Sequence, residues 1–136
     1  LGLSNFSRHP IQITNLETFP TSISAYYSYK NKNDKEYVEK LKNAETPQFA
    51  RTIGLRYGNP ENWNNIRYDI MKNIIELKIT QHPEILENLL TNTGIRPIIY
   101  TSKYEDFWGI GEHLDGKNNL GKIWEMIRES EYYKLI

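Results

Sequence analysis

The sequence predicts a mainly α-helical protein with a few short strands, folded as one compact domain over residues 1–136. Three observations predict it. A chain of 136 residues fits one domain and leaves little room for a second. Apolar residues recur at helical spacing through most of its segments, and strand-like patterning is confined to two short stretches. No Pro/Gly/Ser-rich linker interrupts the chain, and its most polar run, Asn31 to Glu36, is too short to separate two domains.

Taken in order, Ile11 and Ile13 alternate with polar neighbours as a short strand does, and Phe19-Pro20-Thr21-Ser22 is a turn or helix entry. Ile23, Tyr26, Tyr27 and Lys30 fall at i, i+3, i+4 and i+7, one face of a helix. Asp34 caps a further short helix carrying Tyr37, Val38 and Leu41. Pro47 suits the first turn of a helix that buries Phe49, Ala50 and Ile53 and ends near Gly54 or Gly58. The strongest periodicity, Trp63, Ile66, Ile70, Ile74 and Leu77, predicts a long amphipathic helix. Pro83 opens another, with Ile85, Leu86, Leu89 and Leu90 inward and Gly94 past its end. Pro97 to Ser102 is a short apolar run with the composition of a buried strand. Leu120, Ile123, Trp124 and Ile127 define the last helix, with Asn118 or Asn119 placed to cap it.

Composition narrows the chemistry. Seventeen Lys and Arg balance seventeen Asp and Glu, so the chain lacks the bulk positive charge by which most nucleic-acid-wrapping domains hold their partners. Without cysteine it has no disulfide, thiolate zinc site or cysteine nucleophile. Three scattered His without carboxylates at ligand spacing make no metal site; His82 before Pro83 is a cap or surface residue, and His113 lies in a polar loop. No apolar run approaches the roughly 20 residues that span a bilayer, and the start is not a signal peptide, so a cytoplasmic protein is expected.

Two segments are not explained by periodicity. Asp106 to Gly111, followed by Gly116 to Gly121, places four Gly around Asp106, Trp108 and Asn119 and runs straight into a helix. Glycine lets a backbone approach a ligand, and a helix N-terminus offers N–H groups to an anion, so a phosphate-bearing ligand fits here. The same loop is also compatible with a surface turn around a buried Trp. The other segment, Ser4 to Ile11, carries Arg8 and His9, either to meet a phosphate or base edge or to lie solvated near a terminus. Of Tyr26 and Tyr27, one ring is expected in the core and one free to stack on a base; Tyr29 can face solvent, and Tyr132 and Tyr133 are expected to pack near the terminus. The Lys30 to Lys35 cluster is a solvated face that could brush a nucleic-acid backbone.

Together these segments resemble the NADAR (YbiA-like) family over nearly the whole chain. Its Ser-Asn-Phe opening is present as Ser4-Asn5-Phe6, and its helix lysine matches Lys30. A Trp-anchored helix ending in Met matches Trp63 to Met71, and a Leu-Leu-x-Thr-Gly-like turn matches Leu89 to Gly94. The closing signature is present as Asp106-Phe107-Trp108-Gly109-Ile110-Gly111, one residue tighter than the family's Asp-x-x-Trp-Gly-x-Gly, then Gly116 to Gly121 and Met126-Ile127-Arg128.

The resemblance implies a YbiA-like fold and an N-glycosidase that cleaves a ribosyl C1′–nitrogen bond without metal or cofactor. Family substrates are guanine bases carrying ADP-ribose, as nucleosides or within DNA or RNA, and phosphoribosyl pyrimidine intermediates of riboflavin synthesis. Positive charge builds on the sugar as such a bond breaks, so the site needs a carboxylate or nucleophile near C1′ and a proton donor for the base. Lys30 is the implied nucleophile, holding the opened sugar as a Schiff base. The implied ligand-binding residues are Ser4, Asn5, Phe6, Arg8, Tyr27, Trp63, Trp108, Gly109, Gly111, Asn119 and Gly121, with local positive charge from Lys30, Arg8 and Arg128.

One departure stands out. The family's Glu-His pair falls on Ile23 and Ser24, or on Ser24 and Ala25 with a one-residue slip, so its acid is absent, and Asn62 stands where many relatives carry Asp. Either another carboxylate (Glu17, Asp69 or, first, Asp106) replaces it, or the chain sequesters ADP-ribose or an NAD-derived nucleotide without turnover, or Lys30 works alone at lower efficiency.

Overall fold

The computed structural model describes residues 2–134. Six helices and one two-stranded antiparallel sheet are present among them: β1 (Ile11–Thr14), β2 (Glu17–Phe19), α1 (Ser22–Ser28), α2 (Lys35–Lys42), α3 (Pro47–Arg56), α4 (Trp63–Gln81), α5 (Pro83–Thr93) and α6 (Asn119–Lys134). The mainly helical class is as expected. The chain divides into two compact units, Leu1–Ile85 and Leu86–Ile136, with the division inside α5. Among the described residues, no helix is long and apolar enough to cross a membrane.

In the first unit β1 and β2 form a hairpin that places Ile11 opposite Phe19, both fully buried, with an irregularity between Gln12 and Thr14. The alternation at Ile11 and Ile13 announced β1; β2 is only three residues long and left no periodic trace. Helix α1 begins in a capping box, in which the Thr21 side chain accepts from Ser24 N–H and the Ser24 hydroxyl accepts from Thr21 N–H. Every residue of α1 is buried, because α2, α3 and α4 all pack on it. The expected helix from Ile23 through Lys30 is shorter: it stops at Ser28, and Lys30 follows in a turn whose N–H donates to the Tyr27 carbonyl.

Asp34 caps α2 as its position predicts, accepting from Tyr37 N–H at 3.1 Å. Thr46 caps α3, with Pro47 in its first turn. The buried face of α3 is Pro47, Ala50 and Gly54 in place of the expected Phe49, Ala50 and Ile53. Gly54 causes this rotation, since a Cβ there would stand 2.1 Å from Tyr27 Cγ: the ring lies directly on the glycine, and Phe49 is left 53% exposed. Helix α4 is also turned from its expected face. Trp63 and Ile74 are buried as predicted, but Met71, Ile75 and Lys78 complete the stripe while Ile66, Ile70 and Leu77 are half-buried.

In the second unit, α6 buries Leu120, Gly121, Ile123, Trp124 and Arg128. The expected strand over Pro97–Ser102 is absent: this segment pairs with no other strand and is largely exposed. Three of its polar backbone groups are met by side chains, and the Tyr100 carbonyl accepts from Ile110 N–H at 2.9 Å. Asn118 accepts from Tyr100 N–H and donates to the Ile98 carbonyl, both at 2.8 Å, and the Glu125 carboxylate accepts from Ile98 N–H. An extended, β-prone stretch therefore needs no partner strand. Tyr132 packs as expected, donating to the Gly94 carbonyl at 3.0 Å, whereas Tyr133 is exposed.

Candidate active site

In the first unit the Ser4–Phe6 segment is a tight turn. Ser4 Oγ accepts from Phe6 N–H at 3.0 Å and the Ser4 carbonyl accepts from Ser7 N–H at 3.1 Å. Asn5 is buried, and its carbonyl accepts the N–H of Ile23 at 3.1 Å, joining the segment to the first turn of α1. Phe6 is half-buried and Arg8 exposed. The two positions where the family acid is expected are therefore beside Asn5, but neither carries ionisable chemistry. Ile23 is a core side chain, and Ser24 spends its hydroxyl on the capping box, donating to the Thr21 carbonyl at 2.9 Å. The neighbouring Ser22 hydroxyl is buried with no hydrogen-bond partner among the described residues.

Lys30 is only 6% exposed. Its ammonium donates to the carbonyls of Gly54 at 2.8 Å and Tyr57 at 3.0 Å, at the C-terminal end of α3, where the helix dipole favours a cation. The rings of Tyr27 and Trp63 lie 5.4 and 5.7 Å from it. Burial lowers its pKa below the usual lysine range. Tyr27 and Trp63 are thus brought to Lys30, but neither is open: Tyr26 and Tyr27 are both buried, against the expectation that one ring would stack freely, and Trp63 packs on Tyr26 at 5.2 Å. Tyr29 is half-buried beneath Lys32, whose ammonium is 4.8 Å from its ring.

The substitute acids differ. Glu17 is already paired with Lys32 at 2.7 Å, and Asp69 is exposed. A cleft of about 710 Å³ between α2 and α3 is lined by Asp34, Tyr37, Phe49, Ile53, Arg56 and Tyr57, among others. None of the candidate catalytic or ligand-binding residues lines it; Tyr57 stacks on Tyr37 there at 3.8 Å and donates its hydroxyl to Asp34 at 2.7 Å.

In the second unit the Gly-rich loop closes on itself. The N–H groups of Gly116, Lys117, Asn118, Asn119 and Leu120 donate to the carbonyls of Ile110, Asp106, Gly109, Phe107 and Trp108. The first two amides of α6 are among them, so this helix start does not present those N–H groups to an anion, contrary to expectation. Asn118 occupies the capping position through its carbonyl, which accepts from Lys122 N–H, and its side chain serves residues 98 and 100. The glycines have internal reasons. A Cβ on Gly109 would lie 2.7 Å from the Tyr100 carbonyl oxygen, one on Gly116 2.5 Å from that of Gly109, and one on Gly121 2.0 Å from that of Ile98. Gly111 holds a left-handed φ of +74°. Trp108 is buried, Asn119 half-buried and Asp106 exposed. Counting back from Trp108 by the family's Asp-x-x-Trp spacing, without the one-residue contraction, reaches Glu105, which is half-buried. Arg128 is buried and donates to Thr93 Oγ1 and the Arg96 carbonyl at 2.9 and 2.8 Å.

The residue that sequence reasoning missed is Lys78. It is fully buried, donates to the Ser4 carbonyl at 2.8 Å, and burial lowers its pKa to about 7. The signal was present: it lies four residues after Ile74 and seven after Met71, a lysine in line with a buried stripe.

The family model described as NADAR domain matches residues 1–130. The chain is 30% identical over 128 residues to the N-glycosidase YbiA of Escherichia coli (strain K12), covering 93% of this chain and 78% of that protein. It is 31% identical over 142 residues to the chloroplastic riboflavin biosynthesis protein PYRR of Zea mays, covering 93% of this chain and 23% of that protein. The NMR structure of E. coli YbiA superposes with a TM-score of 0.81 at 28% identity, covering 98% of this chain and 79% of that one.

Proposed function

The chain belongs to the NADAR domain family, and from that premise we propose that it is an N-glycosidase that hydrolyses the bond between C1′ of a ribosyl group and a nitrogen of a nucleobase. The observation that carries this reading is similarity across 93% of the chain to a protein named as an N-glycosidase. We further propose ADP-ribosylated guanine, as a nucleoside or within DNA or RNA, as the substrate, with a phosphoribosyl pyrimidine as the competing one. The Lys30 amine displaces the base from C1′, the base leaves with a proton, and water then hydrolyses the sugar–lysine intermediate and restores the amine, so that one water is added overall. The cytoplasm is the proposed location, and no metal or cofactor is invoked.

Lys30 is the proposed nucleophile. Burial favours the neutral amine that attack requires, and its two N–H groups can stay on the two carbonyls while the lone pair attacks. Asp106 and Glu105 are proposed as the acid to be tested, one at a time, by amide substitution. The decisive experiment incubates the whole chain with ADP-ribosylated guanosine, an ADP-ribosylated oligonucleotide and a phosphoribosyl pyrimidine, and follows products by mass spectrometry. Release of the free base that stops in both Lys30→Met and Lys30→Arg supports a nucleophilic lysine; activity retained in Lys30→Arg assigns the lysine to structure. No product from any substrate rejects the hydrolase.

The absence of an acid at Ile23 and Ser24 favours a second reading, a module that binds ADP-ribose or an NAD-derived nucleotide without cleaving it. Calorimetric binding of ADP-ribose without product, and turnover gained in Ile23→Glu, support it.

A further inference from the structure

Lys78 lies outside every motif that carries the family resemblance, yet its bond reaches the first of them. The ammonium meets a single acceptor among the described residues, the Ser4 carbonyl. That carbonyl closes the Ser4–Ser7 turn, and the next carbonyl, that of Asn5, holds Ile23 N–H. A continuous path of bonds thus runs from the buried face of α4 through Ser4 and Asn5 into the first turn of α1. A methionine would fill the same space without the cost of desolvating a cation, and a buried ammonium with one acceptor adds little to stability. Its value must lie in the geometry that it imposes.

We propose that Lys78 is a positioning residue of the candidate site, fixing the Ser4–Phe6 backbone in the conformation that grips α1 at Ile23. The functional consequence rests on the N-glycosidase reading; the positioning itself does not. While Lys78 is protonated, its bond to Ser4 is charge-assisted, and the grip weakens as the proton is lost. Burial brings that loss to about pH 7. The titratable group that feels the Lys78 charge is His9, whose ring is edge-on to His82 at 5.1 Å; the Glu84 carboxylate lies 3.9 Å from His9 Nε2 and 3.7 Å from His82 Nδ1. Burial and the Lys78 charge both lower the pKa of His9. His82 Nε2 lies 2.7 Å from the Pro10 carbonyl, and His9 Nδ1 lies 2.9 Å from Ser7 Oγ.

The test is amide hydrogen exchange by NMR on the whole chain, reported as protection factors at pH 6 and 8.5, for the wild type, Lys78→Met and Lys78→Arg. Ile23, whose N–H donates to the Asn5 carbonyl, is the reporter, and Ala50, whose N–H donates to the Thr46 carbonyl in the first turn of α3, is the control. Ile23 protection should fall at least tenfold in Lys78→Met with Ala50 unchanged. In the wild type it should fall from pH 6 to 8.5, and in Lys78→Arg, charged throughout, it should stay flat. Unchanged Ile23 protection in Lys78→Met, or equal loss at Ile23 and Ala50, overturns the proposal. If Lys78→Met does not fold, the wild-type and Lys78→Arg pH series decides alone. With an active wild type, Lys78→Met should also lose the limb near pH 7 in its kcat/KM profile. An inactive wild type rejects the N-glycosidase reading and leaves the amide result standing.

Discussion

Lys30 and Gly54 show how one residue's demand fixes another. The Lys30 ammonium needs the Gly54 and Tyr57 carbonyls, and the Tyr27 ring needs the space that Gly54 leaves. Lys30→Met orphans both carbonyls, and we expect it to lower the free energy of unfolding by roughly 1–3 kcal/mol in urea titration, whatever it does to activity. Gly54→Ala drives a methyl into Tyr27, and a loss of about 2–3 kcal/mol is expected by the same measurement. A smaller loss would mean that the Tyr27 ring can move aside. The resemblance to the family's helix lysine pointed to Lys30, but the carbonyls that hold it belong to residues 24 and 27 positions away, which no local pattern reveals.

At the scale of elements, caps and prolines were legible where their chemistry is local: Asp34 and Pro47 each act within three residues. Buried faces were less so. Periodicity counts apolar side chains, and α4 hides a lysine in its stripe while α3 hides a glycine. The segment over Pro97–Ser102 has strand composition, but Asn118 and Glu125 supply the hydrogen bonds that a partner strand would. Asn118 also holds a left-handed φ of 52°. We expect Asn118→Gly, which tolerates that φ, to destabilise less than Asn118→Ala, which loses both the bridge and the backbone preference, by about 1 kcal/mol in chemical denaturation. Equal losses would show that the side-chain bridge alone matters. Gly121→Ala should be worse than either, because its methyl meets the Ile98 carbonyl rather than a side chain that can turn.

For the molecule as a whole, Lys78 ties stability to pH. Its pKa is about 7 folded, against 10.5 as the ordinary value, so between these the unfolded chain binds a proton that the folded chain does not. Stability against global unfolding, which hydrates Lys78, therefore rises as pH climbs from about 7 toward 10, by at most about 4 kcal/mol, with the full penalty below pH 7; the Ser4 grip, which opens locally with Lys78 still buried, weakens over the same range. Urea midpoints measured across that range should climb for the wild type and stay nearly level for Lys78→Met; a level wild-type series rejects the lowered pKa. The sequence supplied the charge balance but not its distribution. Among the described residues Lys30, Lys78 and Arg128 are buried, and no Asp or Glu is. The chain is neutral in sum while its wetted surface carries an excess of acids, with the missing cations turned inward onto carbonyl oxygens. An approaching polyanion meets that acidic exterior first, so encounter gains little from long-range attraction, and association with a nucleic-acid substrate should depend only weakly on salt.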